Sequence, residues 1–117
     1  MSHTLGSAGE EAVVAHLRKN GFSILERNYR IRGGEIDIIA RKKDLVVFIE
    51  VKARIFGTSG LSEVVTPTKQ ANIIFTAKHF LTRNMIENTI IRFDVALVEG
   101  KDFHIIYIPN AFNEFVW

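Results

Sequence analysis

The stretch Gly33–Arg54, GGEIDIIARKKDLVVFIEVKAR, decides how this chain is read. Two apolar runs, GEIDIIA and DLVVFIEVKAR, flank the polar RKKD. That pattern predicts a β-hairpin with its turn at RKKD. Strand side chains alternate between faces, so Glu35 and Asp37 share one face of the first run. Val46, Phe48, Glu50, Lys52 and Arg54 share one face of the second. Charged groups in a core-like strand are costly unless paired, hydrogen-bonded or bound to a cation. With Lys42-Lys43 at the tip, Asp37 falls opposite Phe48 and Glu35 opposite Glu50. The four polar groups then converge on one patch, which a one-residue slip would split between the two faces.

Adjacent carboxylates repel, and a hard divalent cation relieves that repulsion. Mg²⁺ takes oxygen ligands, commonly one or two carboxylates and several waters. The Val51 carbonyl, next to Glu50, offers another oxygen. A lysine beside such a pair can orient water or stabilise charge growing on a phosphate. This equipment suits metal-assisted phosphodiester hydrolysis, with an interstrand charge ladder as the structural alternative. The four histidines, at positions 3, 16, 79 and 104, lack zinc-ligand spacing.

Outward from the hairpin, Ser7 and Glu10 have the spacing of a capping box. Ala8, Ala12, Val13 and Leu17 follow at helical intervals, and Asn20-Gly21 closes the helix. Glu10 therefore either caps the helix or turns its carboxylate toward the sheet. FSILERNYRI predicts a first strand, and IFGTSGLSEV a loop rich in Gly and Ser, in which Phe56 is the aromatic nearest the site. Thr66-Pro67 opens a second helix with a stripe of Ile73, Ile74, Ala77, Phe80 and Leu81. TIIRFDVALVEG and FHIIYIP predict two further strands, joined at Gly100-Lys101. Arg92 and Asp94 share a face, first as a structural ion pair and second as support for the site. The order α-β-β-β-α-β-β predicts one α/β domain over residues 1–117, a mixed sheet flanked by helices.

The 117 residues, 47% hydrophobic and 24% charged, can bury a core in one domain. The absence of cysteine excludes disulfides, thiolate metal sites and a cysteine nucleophile. With no signal-like N-terminus and no apolar run long enough for a bilayer, a soluble, cytoplasmic protein without membrane contact is expected. The net charge is only +2, yet ten of fifteen Lys and Arg lie between Arg18 and Arg54. A basic surround of this kind attracts polyanions, although Arg41, Lys42 and Lys43 read first as a solvated turn.

GEIDIIA, VVFIEVKAR, VTPTKQ and RFDVALV, together with the opening GEEAVVAHLRKNGFSILERNYR, resemble the YraN-like family, whose members are inferred to be endonucleases. The likeness runs from about Gly9 to Phe112. It implies membership of the PD-(D/E)XK superfamily, with a restriction-endonuclease-like αβββαβ core similar to that of Holliday-junction resolvases. By position, it implies that Asp37 and Glu50, with the Val51 carbonyl, hold Mg²⁺ or Mn²⁺. Lys52 becomes the active-site lysine and Glu10 the helix-borne glutamate. Lys69 and Gln70 match residues that hold phosphate or water in some members, and Arg30, Arg32 and Arg54 are further candidates for substrate contact.

Two departures stand out. Ile36 replaces the proline of the superfamily name, and ANIIF follows TPTKQ where the family often carries basic residues. The expected partner is DNA, branched or otherwise non-duplex, with RNA equally compatible with the chemistry. A homodimer joining two half-sites and a partner protein supplying specificity are both compatible with so small a chain. The rival expectation is a nucleic-acid-binding or scaffold module that keeps the fold without catalysis.

Overall fold

The computed structural model describes residues 5–54 and 65–113, with the side chains at positions 5, 6 and 54 outside the described set. Helix α1 (Leu5–Lys19) is followed by β1 (Ser23–Ile31), β2 (Gly34–Lys42) and β3 (Leu45–Arg54). Helix α2 (Pro67–Arg83), β4 (Ile90–Glu99) and β5 (His104–Phe112) complete the order. The strands form one sheet in chain order, antiparallel except for β3–β4. A parallel pair cannot be joined by a tight turn, and α2 makes the crossover. The expected mixed sheet with flanking helices is the architecture observed. The loop expected over IFGTSGLSEV, including Phe56, lies outside the described residues.

Both faces of the central strands are buried, which explains why LVVFI and DVALV read as continuous apolar runs. On one face Val13, Val14 and Leu17 of α1 pack against Ile38, Ala40, Val47, Ile49, Ala96 and Val98. On the other, Ile73, Ile74, Ala77 and Phe80 of α2 meet Ile36, Ile39, Val46, Phe48, Phe93 and Val95. The α2 stripe is as expected, with Leu81 at its half-buried margin. Thr66 caps α2, its side chain accepting from the Lys69 amide at 3.2 Å.

Two local expectations are corrected. α1 already runs from Leu5, so Ser7 and Glu10 lie within the helix and form no capping box at its start. Helical residues on both sides of Ser7 override the local Ser-x-x-Glu signal. The β2–β3 turn is Lys43-Asp44, with Lys42 paired to Leu45 and Lys43 at φ 56°. Phe48 therefore faces Ile39, and the expected pairing of Asp37 with Phe48 is displaced by two residues. Because the displacement is even, Asp37 and Glu50 still share a face, whereas the expected placement of Glu35 beside them is not kept.

The alternation of β2 breaks once. Ile38 and Ala40 face α1, whereas Ile36 joins Ile39 on the α2 face. The break falls at Asp37, between the pairs Arg27↔Ile38 and Tyr29↔Ile36. On β1 the residue between them is Asn28, at φ 53°. Beyond this point the hairpin folds over α2, where Tyr29 meets the Phe80 ring edge-on at 5.1 Å and bonds His79 at 2.7 Å.

Gly34 carries that approach. A Cβ there would lie 1.8 Å from Thr76 Oγ1 and 2.9 Å from the Asn72 carbonyl oxygen. Gly34→Ala is expected to destabilise the protein by about 1–3 kcal/mol in urea denaturation. Adding Thr76→Ala should restore only part of the loss, because the Asn72 backbone remains in the way.

Candidate active site

Asp37 sits where β2 parts from β3. The ladder ends at Ile38↔Ile49, and the next β3 amide is met by a side chain instead. The Val51 N–H donates to Asp37 Oδ2 at 2.8 Å. Asp37 therefore continues the strand pairing with its carboxylate and is held rigidly against Glu50.

Glu50 is 7% exposed and lies within hydrogen-bonding reach of Asp37. Burial, then the neighbouring Asp37, pushes its carboxyl up from an ordinary 4.5 to about 8, against the opposing pull of Lys69. The Lys69 ammonium forms an ion pair with Glu50 Oε2, an arrangement that places the first turn of α2 over the end of β3.

Glu10 approaches from α1. Its carboxyl is also pushed up, chiefly by burial and then by Asp37, with Arg27 opposing, Glu35 adding to the rise and the Asn28 side chain opposing it. Arg27 lies 4.0 Å from Glu10 and bonds Glu11 at 2.6 Å. Of the two roles considered for Glu10, proximity to Asp37 is the one the fold provides. The neighbouring Gly9 allows it: a Cβ there would stand 3.3 Å from Ala53 Cβ.

Other expected residues are distributed differently. Lys52 is exposed on the same strand and forms no ion pair with a described residue. Glu35 does not oppose Glu50; it pairs across β1 with Arg30 at 3.3 Å, on the surface. Arg32 is exposed beside Gly33 at the hairpin tip. Gln70 donates to the Val65 carbonyl at 3.1 Å and is half-buried, so it serves the start of the helix. The Arg54 side chain lies outside the described residues. Asn28 was not singled out by sequence reasoning. Its signal is an asparagine inside a strand-like run, a residue type that tolerates positive φ.

Among the described residues no three His, Asp or Glu side chains are grouped closely enough to hold a metal together. The Asp37–Glu50 pair nonetheless suits a hard divalent cation. Two neighbouring carboxylates, one of them pushed toward its protonated form, present the oxygen donors and the mutual repulsion such an ion relieves.

Farther along β4, Asp94 is fully buried. Arg92 grips it through Nε and a terminal amino group, each at 2.9 Å. Tyr107 donates at 2.5 Å and the Asn110 amide at 2.9 Å. The structural ion pair expected here is present, extended by two partners from β5. Removing one member of a buried, hydrogen-bonded pair leaves the other uncompensated, so Asp94→Asn is expected to cost about 3–5 kcal/mol in urea denaturation.

Glu50 gives a pH signature. Its folded-state pKa lies above the unfolded one, so its contribution to stability is complete below about 4.5 and disappears as pH rises through about 8. With chelator present, the wild type is expected to lose stability on the order of a few kcal/mol across that window. Glu50→Gln should lose less, and a parallel pH dependence of the two melting temperatures would exclude the buried, proton-holding Glu50 described here.

Comparison with other proteins places the chain in a family. Residues 9–98 match the uncharacterised protein family UPF0102. A UPF0102 protein of Desulforapulum autotrophicum is 45% identical over 112 residues, covering 93% of each chain. One from Alkaliphilus metalliredigens is 42% identical, covering 96% of this chain and 100% of its own. One from Clostridium perfringens strain 13 is 45% identical over 94% of each. The chain belongs to the uncharacterised protein family UPF0102, the YraN-like family whose motifs it carries.

Proposed function

We propose that this protein is a metal-dependent endonuclease that hydrolyses phosphodiester bonds in DNA, with branched or non-duplex structures as preferred substrates. The observation that carries the reading is the contact of Asp37 with both Glu50 and the Val51 amide where β2 and β3 separate. A buried carboxylate pair destabilises an empty site, and such arrangements are typical of groups kept for chemistry.

Asp37 and Glu50, with the Val51 carbonyl, would hold Mg²⁺ or Mn²⁺. When bound, the ion supplies Lewis-acid stabilisation of phosphate charge and a more acidic water. The protein's own residues do the rest. The Val51 amide fixes the Asp37 carboxylate, so the pair needs little reorganisation. Lys52, exposed beside Glu50, supplies positive charge to a phosphate oxygen as it gains electron density. Lys69 balances Glu50 and can pass its ammonium to a substrate phosphate once that carboxylate is otherwise neutralised. Glu10 orients water from the α1 side. Arg30 on β1, Arg32 at the β1–β2 turn and Arg54 at the end of β3 add basic charge for the nucleic-acid backbone.

The Lys69–Glu50 ion pair also favours a second reading, a nucleic-acid-binding module whose acidic pair is permanently closed by lysine. A labelled panel of duplex, single strand, flap, four-way junction and RNA separates the two. With Mg²⁺ or Mn²⁺, the wild type is expected to cut at least one DNA member and Glu50→Gln none. Mn²⁺ should also raise the melting temperature of the wild type by a few degrees, since binding to the native state stabilises it, but not that of Asp37→Asn. Binding without cutting, and without a metal-induced shift, would establish the module instead.

A further inference from the structure

A second pocket lies away from the carboxylates. It has a volume of about 410 Å³ and is lined by His16, Leu17 and Phe22 from α1 and its exit, Lys42 and Leu45 at the β2–β3 turn, and Arg92, Tyr107 and Pro109. Leu45 and Glu50 are five residues apart on one strand, which separates this pocket from the carboxylates by about 17 Å. Leu45 packs in the cluster on the α1 side, whereas Glu50 bonds to α2. The two sites thus occupy different ends of the sheet.

The lining is aromatic and cationic together. The His16 and Tyr107 rings lie 5.6 Å apart at 30°, and the Phe22 ring is covered by the Lys42 ammonium at 5.7 Å. Lys42 donates to the Asn20 carbonyl at 2.9 Å, one of the three N–H donors an ammonium carries. Arg92 uses Nε and one amino group on Asp94, and the other amino group takes no part in that pair. Asp94 itself is fully buried behind its donors, so it presents no carboxylate to a cation. The ligand that matches is a planar ring bearing an anion. The volume falls within the roughly 300–1,000 Å³ of small-molecule sites.

We propose that this pocket binds one nucleotide unit, its base against Tyr107, His16 and Phe22 and its phosphate on Lys42 and Arg92. The same chemistry is offered by a free mononucleotide and by the 5′-phosphorylated end of a strand. The site is independent of metal binding at Asp37 and Glu50.

The test is amide NMR of the full chain in chelator, titrated with 5′-AMP, adenosine and inorganic phosphate. 5′-AMP is expected to shift the resonances of His16, Phe22, Lys42 and Tyr107. Lys42→Glu should weaken binding about tenfold, the worth of one charge-assisted hydrogen bond, and His16→Ala should weaken it at an unchanged phosphate preference. Arg92 is left intact because Asp94 depends on it. A 5′-phosphorylated oligonucleotide that outbinds 5′-AMP and its own 5′-hydroxyl form identifies a strand end as the ligand; tighter 5′-AMP identifies the free nucleotide. The proposal is overturned if 5′-AMP shifts none of these resonances at millimolar concentration, if adenosine binds as tightly as 5′-AMP, or if Lys42→Glu binds like the wild type.

Discussion

Ten consecutive parallel pairs, from Leu45↔Ile90 to Arg54↔Glu99, join β3 to β4, and the remaining architecture follows from that ladder. A parallel pair requires a crossover, which α2 provides. Strands buried on both faces require cover on both, which α1 and α2 divide between them. The helices also bring Glu10 and Lys69 to the same end of β3, the end at which β2 departs. The carboxylate pair is therefore a product of topology: one strand leaves the ladder, and a side chain replaces the backbone acceptor that would have followed.

Asp37 carries two duties that are separable in principle. As acceptor for the Val51 amide it is structural. As neighbour of Glu50 it raises that group's affinity for protons. The first duty fixes the geometry of the second. In the same fold Asp94 shows the opposite solution to a buried carboxylate. Arg92, Tyr107 and the Asn110 amide satisfy it, and burial and the Asp94 charge in turn push the Tyr107 phenol up. One acid is compensated in full, whereas among the described residues Lys69 is the cation paired with Glu50 and the Val51 amide the donor to Asp37.

Much of this was legible in the residues. Every strand and both helices follow from apolar runs, turn residues and the Thr66-Pro67 start. The shared face of Asp37 and Glu50 follows from period-two alternation, which is insensitive to an even displacement of register. What RKKD does not encode is which two of its four polar residues form the tip, so the opposing residues were displaced. Ser7 matched a local cap pattern that the longer helix overrode. The break at Asp37, with Asn28 beside it, depends on a hairpin folding over α2. The Lys69–Glu50 pair depends on where a crossover helix lands. Neither contact has a signature in local spacing.

Gly9 has a consequence of its own. The helix carrying Glu10 rests directly on β3 and β4, and a Cβ at position 9 would stand 3.3 Å from Ala53 Cβ and 3.6 Å from Val98 Cβ, filling the space between helix and sheet. Side-chain bulk at that position acts as a shim under the helix. A methyl would ask for a small shift, whereas a longer side chain would lift α1 from the sheet and withdraw the glutamate from Asp37. The spacing between the helix-borne carboxylate and the strand-borne pair is thus set by the smallest side chain in the repertoire, one residue away from the group whose position it governs.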